Sequence, residues 1–135
     1  MRALIVVPVV LALSAALGFA ACRALGVEPG NREMWIAFAI VMAASLLAAV
    51  PGILVRGSSQ YAMSQAGLVG TIVQMFAAIG AGGFVFLKLQ PGPSFLYWLA
   101  GLYWAGLIAL VVCFVAAVKS APPEPPLATP PTSKQ

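Results

Sequence analysis

The chain has no histidine and no aspartate, and its only carboxylates are Glu28, Glu33 and Glu124. Without histidine a Ser–His–acid relay cannot be assembled, and no Cys/His set has zinc-ligand spacing. Charge of any kind is scarce, 7% of 135 residues against roughly a quarter in soluble domains. None of those charges falls inside a long apolar run. A small multidrug exporter or a rotor-ring proteolipid needs a carboxylate at membrane depth, and none is present. A stator half-channel arginine is missing as well. Lys88 and Lys119 stand at segment ends, away from any Ser–Lys chemistry within the membrane. Cys22 and Cys113 lie near the ends of the first and fourth apolar segments, on opposite sides of a membrane for an even segment count. A disulfide needs Cα atoms within about 7 Å, so no internal bridge is expected. The inventory points away from an enzyme and offers no catalytic group, no cofactor site and no metal site.

What is abundant is apolar sequence: 62% of residues are hydrophobic, and the mean hydropathy is +1.03. A hydrocarbon core about 30 Å thick takes about 20 apolar residues per helix. Four such segments nearly fill the chain, at about 3–22, 35–55, 65–87 and 95–118. The expected fold is therefore all-α, a polytopic membrane protein of four transmembrane helices in two hairpins over residues 1–119. Residues 120–135, with Ala121-Pro122-Pro123-Glu124-Pro125-Pro126 at their start, are too proline-rich to build a core and read as an extended, disordered tail.

The formal net charge is +4, but the basic residues are scattered singly, so lipid phosphates rather than nucleic acid are the expected counter-charges. Arg2, Arg56, Lys119 and Lys134 fall on one side of a four-helix layout and Arg23, Arg32 and Lys88 on the other. That excess, although small, places both termini in the cytoplasm by the positive-inside rule. Glu28, Arg32 and Glu33 read as a solvated loop, and Arg56–Ser64 as a polar one whose only charge is Arg56. Trp35 and the run Phe95, Tyr97, Trp98, Tyr103 and Trp104 read as interfacial anchors. The first segment also suits a lipoprotein signal ending at Cys22. Phe19, where an aliphatic residue is usual, and the length of the run favour a retained helix.

The most informative stretch is Gly57–Phe86. As a helix it carries one stripe of polar and small residues, Gln60, Ser64, Gly67, Thr71, Gln74, Ala78 and Gly82, at steps of three and four. Such steps keep residues on one face. Leu68, Val69, Val73, Phe76 and Ile79 lie opposite. Lipid offers Gln74 no hydrogen bond, so this stripe is expected to face protein. Small residues recur four apart in Ser14, Gly18 and Cys22, and in Ala44, Ala48 and Gly52. Gly101 and Ala105 add one more such pair. Faces of this kind allow close helix contact. The partner they meet can be a helix of the same chain, a second copy or another protein.

The layout of two apolar hairpins, the polar connection Arg56–Gln65, a third helix bearing Gly67, Gly70, Gly80, Gly82 and Gly83, and the start Phe95, Leu96, Tyr97, Trp98 and Leu99 of the fourth together resemble the ATP synthase I chain family. These are small four-helix proteins encoded beside the F-type ATP synthase subunits. The resemblance covers about residues 1–119 and leaves out the tail. That family's third helix often carries a charged residue near its start, where this chain has Gln60, Tyr61 and Gln65. The resemblance implies a bacterial inner-membrane accessory protein that helps assemble the rotor ring, with ATP synthase membrane subunits as partners and a proposed role in magnesium supply. The rival reading from the residues is a small oligomeric channel or transporter whose path is lined by the third helix, with Thr71 and Gln74 facing it.

Overall fold

The computed structural model describes residues 2–123, and side chains from Ile5 onward. Four helices account for nearly all of it: α1 (Arg2–Ala24), α2 (Asn31–Leu54), α3 (Gln60–Leu89) and α4 (Ser94–Ser120). All four are long and apolar enough to cross a membrane. The proline-rich sequence from Glu124 onward, expected to be disordered, lies outside the described residues.

Helix ends follow local chemistry. The sequence pattern places the second helix at residue 35, but α2 begins at Asn31. Gly30 takes φ +57°, a turn that L side chains rarely adopt, and its carbonyl accepts from the Met34 N–H at 2.9 Å. Glu33 then sits in the first turn, where a carboxylate suits the helix dipole. α3 likewise begins at Gln60 rather than 65, because Ser59 is its N-cap and accepts from the Ala62 N–H at 3.4 Å. So most of the stretch expected as a polar loop is helix. At about 1.5 Å per residue, the 30 residues of α3 reach about 45 Å, well beyond the hydrocarbon core. Its first turns, with Gln60, Tyr61, Ser64 and Gln65, have length to spare outside lipid.

The packing is uneven. α2 and α4 each touch all the other helices, whereas α1 and α3 do not meet. The section is thus a flattened diamond with α2 and α4 across its short diagonal. The core comprises Val7 and Leu11 from α1, Ala37, Val41 and Ala48 from α2, and Phe95, Leu102, Ala109 and Leu110 from α4. At one end Trp98 lies against Gly18 and its Nε1–H donates to the Pro29 carbonyl at 2.6 Å. At the other, Phe114 is seated among Gly52, Gly67 and Gly70. This corrects part of the aromatic reading. Tyr97 and Trp104 are exposed, as anchors would be, but Phe95 is fully buried and Trp98 clamps a loop.

Candidate functional site

The polar centre of the molecule is built where α2, α3 and α4 meet. Gln74 of α3 is completely buried, and Ser45 of α2 is 1% exposed. The Gln74 Nε2–H donates to Ser45 Oγ at 3.0 Å. Gly106 of α4 closes the third side. A Cβ there would stand 3.1 Å from Ser45 Oγ and 3.2 Å from Gln74 Nε2. A methyl at 106 would crowd the pair by a few tenths of an ångström, so glycine there lets α4 lie close over it. One turn along α3, a Cβ at Gly70 would run into the Ala48 carbonyl oxygen of α2. Backbone therefore lies against backbone there, which only glycine permits.

An amide and a hydroxyl inside an apolar bundle cost free energy unless they pair. Pairing here is partial. Gln74 Oε1 is buried and, among the described residues, is the side-chain polar atom left without a partner. Polar contacts between membrane helices are worth on average about 0.6 kcal/mol. This pair adds modest stability and fixes which residue of α3 faces which residue of α2.

The sequence-derived stripe divides at this centre. Gln74, Ala78 and Gly82 are buried; Gly82 packs against Leu99. Gly67 and Thr71 are half-buried. Gly67 touches Phe114, and the Thr71 hydroxyl donates to the Gly67 carbonyl of its own helix at 2.9 Å. Ser64 and Gln60 are exposed. Gln60 Nε2 reaches the Ala121 carbonyl at 3.3 Å, where the chain leaves α4. Over the first half of α3 the buried residues are instead Met63, Ala66 and Gly70. The continuous inner line runs Met63, Ala66, Gly70, Gln74, Ala78, Gly82, one position away from the polar stripe at its start.

Ser45 and Gly106 did not stand out in the sequence pattern. Ser45 carried a usable signal: between Ile36 and Leu54 it is the only side chain with a hydrogen-bonding oxygen or nitrogen. Gly106 carried none that separates it from Gly101, which faces open space.

Nothing at this centre ionises near neutral pH, so no general base stands beside the Ser45 hydroxyl there. Elsewhere, among the described residues, no group of three or more His, Cys, Asp and Glu comes together. Cys22 and Cys113 are both free thiols. No family model, no curated protein and no solved structure matches this chain.

Proposed function

We propose that this chain is a non-enzymatic accessory protein of the bacterial inner membrane that acts through helix contact. Its helices form two hairpins with both termini in the cytoplasm, and its partners are membrane subunits of an F-type ATP synthase. The non-enzymatic reading is supported by one observation above others: the main polar element inside the bundle, Gln74 with Ser45, is spent on holding α2 to α3. It is fully enclosed and has no ionisable neighbour. The partner comes from the resemblance of the four-segment layout to the ATP synthase I chain family, and the orientation from the excess of basic residues on the terminal side.

The channel reading draws no support from Gln74. In this fold the side chain faces Ser45 and Gly106 rather than a passage, and Thr71 is bonded to its own backbone. Affinity purification of the tagged protein from native membranes in mild detergent tests the accessory role. The reading expects ATP synthase membrane subunits to co-purify in stoichiometric amounts. Their absence removes the partner. Solute flux in liposomes that changes with Gln74→Leu removes the accessory role itself.

A further inference from the structure

We infer that the open groove between α1 and α2 is a binding site for one anionic phospholipid, with the acyl chain in the groove and the phosphate at Arg23. The groove has a volume of about 520 Å³ and is lined by Ala12, Ala16, Phe19, Trp35 and Phe38, with Asn31 at its polar end. That volume lies within the usual range of ligand pockets, about 300–1,000 Å³. From Ala12 to Phe19 the groove follows seven helical steps of about 1.5 Å, close to 10 Å of depth. One leaflet supplies about half of a 30 Å hydrocarbon core. The groove is therefore as deep as part of one lipid tail.

The groove's end has the complementary charge. The Arg23 guanidinium carbon lies 5.1 Å from the centre of the Phe19 ring, over one wall of the groove. Its planar fork suits a phosphate. Asn31 opens α2, whose N-cap, Gly30, has no side chain to bond the free N–H groups of that turn. Glu33, the acid of the same turn, is directed toward Gly30, Gly92 and Ser94, so it faces α4 rather than the groove. Trp35, 63% exposed and edge-on to Phe38 at 5.9 Å, supplies the amphipathic ring that belongs at headgroup level.

Native mass spectrometry of the full chain, with phosphatidylglycerol and phosphatidylcholine of identical acyl chains added in equal amounts, tests the assignment. The expected result is one retained lipid, with phosphatidylglycerol preferred about fivefold, as one basic contact near a membrane surface gives. Arg23→Gln is expected to abolish the preference while leaving some retention. Ala16→Phe, which fills the groove, is expected to reduce retention of both lipids. Both positions are exposed, and helix content by circular dichroism verifies that each variant is folded. Equal retention of the two lipids by the native chain overturns the proposal. So does undiminished retention in Ala16→Phe, or a dimer that this variant splits, which assigns the groove to a second copy. Co-purification with ATP synthase subunits bears on none of these outcomes.

Discussion

The two flanks of the α2–α4 pair are held in different ways. On the α3 flank, Gly70 abuts the Ala48 carbonyl, Gly67 and Gly52 receive Phe114, and Gln74 is bonded to Ser45. On the α1 flank, Val7 and Leu11 enter the core, and Gly18 meets Trp98, but a groove remains beside α2. In lipid, apolar side chains gain little by leaving acyl chains for one another, so association rests on close backbone approach and polar contacts. By that measure α3 is locked to α2 and α4, and α1 is attached more loosely. The fixed flank gives the molecule its register. The open flank is where lipid or a partner can approach without unpacking the core.

Substitutions on the two flanks should therefore differ in size. Gly70→Val places a branched side chain against the Ala48 carbonyl and is expected to cost about 3 kcal/mol in an SDS-unfolding titration. A cost below about 1 kcal/mol would break the contrast. Ser45→Ala leaves the whole Gln74 amide buried without a partner and should cost about 1 kcal/mol. Gln74→Met, which keeps length, removes the unpaired Oε1 but leaves the buried Ser45 Oγ without its donor, and should cost about 1 kcal/mol. The two changes combined should be less costly than their sum, because the second relieves what the first leaves unpaired. At the loop end, Trp98→Phe removes the bond to Pro29 and should cost about 0.5–1 kcal/mol, with faster proteolysis between Leu25 and Gly30 as the readout. Smallest of all, Ala16→Val on the open flank should fall within about 0.5 kcal/mol of the native chain.

Much of this contrast could be read in the sequence, and its detail could not. Four apolar runs long enough to span a bilayer specify four helices, because backbone in lipid must bond to itself. Gln74 pointed inward for the same reason, and Leu68, Phe76 and Ile79 on the opposite face are exposed. The earlier start of α3 was hidden because Gln60–Ser64 looked like loop composition. The deciding signal was Ser59, three residues before Ala62, in N-cap position. Starting the polar stripe at Gln60 followed polarity, whereas the bundle follows size: Met63, Ala66 and Gly70 face inward at that end, where α3 is long enough for Gln60 and Ser64 to meet water. The role of Gly106 depends on how α4 crosses α2 and α3, and that tertiary fact leaves no mark on a helix with several glycines and alanines.

In this fold α3 presents Gly70 to α2 while Gly80 and Gly83 face outward, and one pair of variants tests that placement on a single helix. Gly70→Ala and Gly83→Ala make the same chemical change thirteen residues apart. A Cβ at Gly70 meets the Ala48 carbonyl, whereas a Cβ at Gly83 meets nothing within 4 Å. Unfolding both in the same detergent should show Gly70→Ala clearly destabilised, and Gly83→Ala unchanged or more stable by up to about 1 kcal/mol from helix propensity. Equal effects, or a destabilised Gly83→Ala beside an unaffected Gly70→Ala, would contradict the placement of α3 and the polar centre built on it.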